Sequence, residues 1–239
     1  MDQEKIFDDQ AKKLHTYLKT DIRHNPVFLP RPFFLEFTGS PSAGKTTTIK
    51  ELDKLFRRLG FRVLCPQEGA EVVRHIGRET PLYNLSTGIY ALKLLIDLSS
   101  GHQYDIVIFD RCVFDVFCWM MYWEGKEKLS ESEKILIQSF FLSRFWMDKI
   151  DVAYFMISDP KTAMERELRI ALSTKLGETT NPKTIETLVR RYKTAYKELS
   201  PRYPQLQLLD TTNLDEQTMV RQIAENVLNI LENKTKNGR

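Results

Sequence analysis

Residues Gly39-Ser40-Pro41-Ser42-Ala43-Gly44-Lys45-Thr46 carry the spacing G-x-x-x-x-G-K-[ST]. No other stretch limits so sharply what the chain can fold into, because this pattern works only between a strand and a helix. The glycines let the backbone curl around an anion with its N–H groups turned inward. The following helix points the positive end of its dipole at the same anion. Lys45 then reaches the β- and γ-phosphates of a nucleoside triphosphate and the Thr46 hydroxyl binds Mg²⁺, with Gly39, Ser42, Ala43, Gly44 and Thr47 completing the phosphate loop. From average residue usage, a chance match in a chain of this length has odds of about 1%. The flanks lower those odds. Phe33 to Phe37 reads as a buried strand, and Thr46 to Leu59 as a helix with Ile49, Leu52, Leu55 and Phe56 on one face.

The 239 residues suit one α/β domain with a sizeable core. A net charge of +3, with lysines and arginines interspersed among acids, gives no basic run for a polymeric nucleic acid. Cys65, Cys112 and Cys118 fall in predicted strands or helices and lack metal-ligand spacing, so they read as buried reduced thiols. The opening MDQEKIFDDQ is acidic and polar, unlike a secretory leader, and no apolar run approaches a membrane span. The expectation is a reducing, cytoplasmic compartment.

Punctuation along the chain divides it into alternating elements. Residues 2–23 read as a helix with Ile6, Leu14 and Leu18 as its sparse apolar side, and a proline-rich linker runs to Pro32. Strands are predicted at Phe33–Phe37, Phe61–Cys65, Tyr104–Asp110, Val152–Ile157 and Leu206–Leu209. Between them come helices at Glu71–Arg78, Leu85–Ser99, 113–124, 131–147, 160–172 and 182–199, and a final one, capped by Asn213 and Glu216, runs to about Leu231. Such alternation means a three-layer α/β domain around a parallel sheet. We place it at 33–233, after an N-terminal segment (1–32) and before a disordered tail (234–239). Ligands in such sheets bind beyond the carboxyl ends of the strands.

Several candidate groups fall at that edge. Asp110 ends the third strand, where a carboxylate holds Mg²⁺ or else caps the next helix. Its neighbour Arg111 offers a planar fork for phosphate. Glu68, after the second strand, would face an acceptor hydroxyl as base or anchor; a solvated helix-start glutamate is the competing reading. Arg166 and Arg169 share a helix face before Ser173–Thr180, a segment with no apolar period, which together read as a lid over about 166–181. Ordinary solvated charges are the alternative there. Trp119, Tyr122, Trp123, Tyr83 and Tyr90 can stack on a base or simply pack the core.

The order of these motifs resembles the P-loop nucleoside and nucleotide kinases, and within them the thymidylate kinase and deoxynucleoside kinase group, from about Phe33 to Leu231. That resemblance implies a five-stranded parallel sheet in the order 2-3-1-4-5. It assigns Lys45 and Thr46 to ATP and Mg²⁺, Arg111 to the acceptor or the transferred phosphate, and Arg166 and Arg169 to a lid. It also places Thr212 and Asn213, after the last strand, against adenine. Departures bear on the acceptor: Glu68-Gly69-Ala70-Glu71 replaces a Glu-Pro-Gly-Gly pattern, and Asp110-Arg111-Cys112 replaces Glu-Arg-Ser. The same runs are similar to looser ATPase-like kinase domains of the ribosylnicotinamide kinase type. The resulting expectation is a kinase passing the γ-phosphoryl of Mg·ATP to a small acceptor, a nucleoside or nucleoside monophosphate. Its competitors are a kinase of another small molecule and a regulatory ATPase without acceptor. A homodimer is compatible with all three.

Overall fold

The structure is a computed structural model that describes residues 31–170 and 181–237, together with residues 8, 9 and 12. Most of the N-terminal helix read from the sequence and the Ser173–Thr180 segment lie outside the described residues. Five strands form one all-parallel sheet in the order β2-β3-β1-β4-β5: β1 (Phe33–Gly39), β2 (Val63–Leu64), β3 (Ile106–Asp110), β4 (Val152–Ile157) and β5 (Leu206–Asp210). The helices are α1 (Lys45–Arg58), α2 (Gly69–Val72), α3 (Pro81–Leu98), α4 (Val113–Glu124), α5 (Glu131–Phe141), α6 (Arg144–Met147), α7 (Pro160–Ile170), α8 (Pro182–Leu199) and α9 (Glu216–Asn237). No helix among the described residues is long and apolar enough to cross a membrane.

A sheet covered on both faces needs strands that are apolar on both faces. In β1, Phe33, Leu35 and Phe37 pack against α1 and α9, beside Leu52, Phe56, Ile223 and Val227. Phe34 points the other way, into a core with Leu95, Phe114 and Tyr192 from α3, α4 and α8. Glu36 and Thr38 share that second face and are fully buried, so β1 carries polar groups into the interior at two alternate positions.

Element boundaries differ from the sequence reading where side chains reach beyond local periodicity. β2 shrinks to two residues, and Cys65 lies just past it, half-buried. Cys112 sits at the N-cap of α4 rather than inside an element, and Cys118 lies within α4; both are buried. Instead of running to Arg78, α2 stops at Val72, because Val73 leaves the helical region (φ −83, ψ 78). By contrast α3 starts four residues early: Thr80 caps it and Pro81 supplies a preset first turn. The predicted 131–147 helix divides at Leu142–Ser143 into α5 and α6. Asp215, not Asn213, caps α9 by accepting the Thr218 N–H at 2.9 Å. That helix also continues to Asn237, past the end near Leu231 read from the sequence. Its Lys234 pairs with Asp151, whose other oxygen binds Arg31 and the Phe34 N–H at 2.7 Å.

Candidate active site

Strand β1 delivers the chain to the phosphate loop with no room to spare. A Cβ on Gly39 (φ 143) would lie 1.8 Å from the Met156 carbonyl oxygen of β4, so only glycine lets the two strands close here. Gly44, at φ 91, turns the chain into α1. Ser42 takes φ 54, a left-handed conformation that a non-glycine residue seldom adopts and that clusters at functional sites. Lys45 is buried, and its Nζ donates to the carbonyls of Gly39 (3.2 Å) and Ser40 (2.8 Å). Burial first, and then the nearby Arg111 guanidinium, pull its pKa down to about 8.

The loop opens into a cleft of about 760 Å³. Ser42, Gly44, Lys45, Thr46 and Thr47 line it, together with Arg166 and Arg169 from α7 and Thr212 from the β5–α9 connection. Gly39 and Ala43 lie behind that surface, and Asn213 is exposed outside it. Arg166 is already engaged. Its guanidinium donates to Thr211 O (2.7 Å), Thr211 Oγ1 (3.1 Å) and Ser42 O (3.4 Å), which braces the two connections against each other. Beside it Ser42 Oγ donates to Glu167 Oε2 at 2.8 Å. Arg169 is exposed at the cleft mouth.

Asp110, at the end of β3, stands between Thr46 of this cleft and Arg111 of a second one. Thr46 Oγ1 lies 3.3 Å from Asp110 Oδ2, while Asp110 Oδ1 is buried with no hydrogen-bond partner among the described residues. An orphaned carboxylate oxygen beside a hydroxyl is a donor set of the kind a hard cation takes, so the residues present fit Mg²⁺.

Beyond Asp110 the backbone turns sharply. Arg111 takes φ 68, and its N–H reaches back to Phe37 O at 2.8 Å. Its side chain binds Glu68 (Nε to Oε1, 3.2 Å) and Asp115 (Nη1 to Oδ1, 2.7 Å). Burial alone would lower the Arg111 pKa, but the carboxylates around it, Asp115 foremost, raise it well above the usual arginine value. Glu68 is shifted upward, by burial first and by the charge of Asp110 second. Together with Arg78, Tyr83, Asn84 and Trp119, Glu68 and Arg111 line a cavity of about 150 Å³. Tyr122 and Tyr90 are not part of that lining, and Trp123 acts behind it through Asn84.

Two groups central to this geometry escaped the sequence reading. Glu36, fully buried in β1, accepts the backbone N–H groups of Cys112 (2.9 Å), Asp115 (3.1 Å) and Phe114 (3.2 Å), and so caps α4 from the sheet face beneath it. Burial outweighs those three donors, and its pKa rises to about 8. Asp115 accepts from Thr38 Oγ1, from Tyr192 OH (3.0 Å) and from Arg111. A signal for Glu36 did exist: it is a charge in the middle of Phe-Phe-Leu-Glu-Phe, a strand otherwise suited to burial on both faces. Nothing local marks Asp115, whose partners lie on β1, α8 and the β3–α4 turn.

Comparison with known proteins agrees with this architecture. A family model described as an AAA domain matches residues 35–198. No curated protein matches the chain by sequence. Among solved structures, the deoxyadenosine kinase of M. mycoides, with the products dCMP and dCDP bound, superposes at a TM-score of 0.59 with 17% identity. That match covers 82% of this chain and 98% of that one. Thymidylate kinase from Candida albicans gives a TM-score of 0.57 at 13% identity, over 87% of this chain and 94% of its own. At these identities the likeness is one of fold: a P-loop kinase-like sheet in the expected order 2-3-1-4-5.

Proposed function

The chain belongs to the AAA-domain family, and from that premise we propose that it is a small-molecule kinase. It would transfer the γ-phosphoryl of ATP to a hydroxyl of a nucleoside-like acceptor. One observation carries this reading: a phosphate-loop cleft and a second cavity walled by Glu68 and Arg111 both open at the carboxyl edge of one sheet, linked through Asp110, which lies 3.3 Å from Thr46 of the first and precedes Arg111 of the second. A nucleotide-driven switch needs the first of these and has no use for the second. In the proposed reaction, Lys45 and the α1 N-terminus hold the donor phosphates, and Arg166 and Arg169 supply charge from α7. Thr46 and Asp110 would hold Mg²⁺, which when bound neutralises phosphate charge. Arg111 steadies the transferred group from the acceptor side, while Glu68 aligns the acceptor hydroxyl and accepts its proton. Thr212 would border the adenine; Asn213, exposed, is left without a part in this reading.

Phosphoryl transfer asks chiefly for positioning and charge neutralisation, and the α4 cap from Glu36 serves both by holding Arg111. The test is ATP consumption against a panel of nucleosides, nucleoside monophosphates and other ribosides. Consumption that rises and saturates with one compound supports the kinase. A flat panel with steady phosphate release sinks it in favour of a regulatory ATPase.

A further inference from the structure

The cavity beside Glu68 has a charge balance that selects its ligand. Its charged lining residues are Glu68, Arg78, Arg111 and Asp115, two carboxylates and two guanidinium groups. Arg111 is committed to both carboxylates, at 3.2 and 2.7 Å. Asp110, near enough for its charge to act on Glu68, adds a further negative charge. With Arg111 balanced by these carboxylates and serving the transferred group, a phosphate carried by the acceptor itself meets one further cation among the described lining residues, the exposed Arg78, whose guanidinium lies 5.8 Å from the centre of the Tyr83 ring. Burying an anion without paired cations carries a large desolvation penalty.

Uncharged hydrogen-bonding groups, by contrast, are in supply. The Trp123 indole N–H donates to Asn84 Oδ1 at 2.7 Å. Because an indole can only donate, this fixes the amide's orientation and leaves Nδ2 as its donor end. The Tyr83 hydroxyl is buried and has no hydrogen-bond partner among the described residues. Trp119 contributes a flat apolar wall. An amide, an orphaned phenol and an aromatic wall suit a planar ring with a polar edge.

We infer that the acceptor is a phosphate-free nucleoside rather than a nucleoside monophosphate. This rests on the kinase reading above and narrows it. The nucleoside's hydroxyl oxygen forms a bond to the γ-phosphorus as the bond from that phosphorus to the β,γ-bridging oxygen breaks. The hydroxyl proton passes to the Glu68 carboxylate, and ADP leaves with the electron pair.

Calorimetry without ATP provides the test, using the common ribo- and deoxyribonucleosides and their 5′-monophosphates, with mass spectrometry of ATP-containing mixtures to identify product. The expected result is that one nucleoside binds at least tenfold more tightly than its own monophosphate and is converted to it. Equal or tighter binding of the monophosphate, or a diphosphate product, overturns the inference while leaving the kinase reading intact. Failure of every acceptor alongside steady ATP hydrolysis overturns both. Glu68→Gln provides an internal control, since a ratio of affinities is insensitive to the fraction of folded protein. With one negative charge removed, the preference for nucleoside over monophosphate narrows several-fold; an unchanged ratio means that charge is not what excludes phosphate.

Discussion

The two clefts on either side of Asp110 are made of different material. On the phosphate-loop side, the key geometry belongs to the backbone: Gly39 and Gly44 at positive φ, Ser42 at φ 54, and a helix that starts at Lys45. On the Glu68 side, it belongs to side chains brought from five elements or turns and locked by buried charge: Glu36, Glu68, Arg111, Asp115 and Tyr192. A backbone cradle needs a short run of consecutive residues, and any polyphosphate can use it. A side-chain cavity is specific, but each wall depends on the packing behind it. The difference explains why a phosphate site can be carried unchanged among proteins of different function while the partner cavity is rebuilt.

Substitutions can separate the two. Lys45→Ala removes the charge at the centre of the backbone cradle, so turnover should fall by about a thousandfold. Circular dichroism and Tm should stay near those of the parent, because Lys45 donates only to two loop carbonyls. Near-normal turnover would remove the phosphate loop from the reaction altogether.

Glu36→Leu strikes the other side through its support. Three buried N–H groups lose their acceptor, and the loss of stability should reach about 3 kcal/mol or more. Urea unfolding measures it, and kcat should drop with Arg111 no longer held. Should stability survive with kcat unchanged, the α4 cap is not what positions Arg111.

A milder change, Glu36→Gln, reads out the burial of this carboxyl. Its pKa stands at about 8 in the folded chain against 4.5 for an ordinary glutamate. Between those values the native state holds the proton more tightly than the unfolded chain does. Its contribution to stability is therefore full below about pH 4.5 and is lost as pH rises through about 8. Comparison of urea midpoints at pH 5 and pH 8 should show the parent weakening across that window more steeply than the glutamine variant. Parallel pH profiles would count against a protonated Glu36.

The smallest effect tests the rim of the donor cleft. Lys45, Arg166 and Arg169 share its lining with Glu165, Glu167, Asp215 and Glu216. Glu167, held by Ser42 Oγ, repels a triphosphate, so Glu167→Ala should tighten ATP binding a few-fold, and more at low salt than at high. Titration of ATP at two ionic strengths checks both statements.

These differences also trace what could be read from the chain in advance. The parallel sheet and the phosphate loop were legible because they follow from local signals: apolar runs, glycine spacing, and caps such as Ser130 with Glu133 or Asn181 with Pro182; the strand order came from the resemblance to P-loop kinases. Glu68, Asp110 and Arg111 were legible as positions, since they end strands or follow them. Their pairing was not. That Arg111 is neutralised by Asp115 depends on a left-handed turn at φ 68 and on one helical turn of α4. Arg166 was legible as a cation near the loop, yet its donation to the Thr211 and Ser42 carbonyls depends on how α7 packs.

By itself, the sequence determined that the chain builds a parallel sheet around a phosphate-binding loop, because that loop is a contiguous stretch whose backbone conformation is set by its own residues. Only the tertiary structure decided the charge of the facing cavity. Glu36 and Thr38 on β1 are far in sequence from Asp115 and Tyr192, and their hydrogen bonds form only when β1, α4 and α8 are packed together. Whether a buried carboxylate is paired, protonated or free to hold a substrate depends on those neighbours.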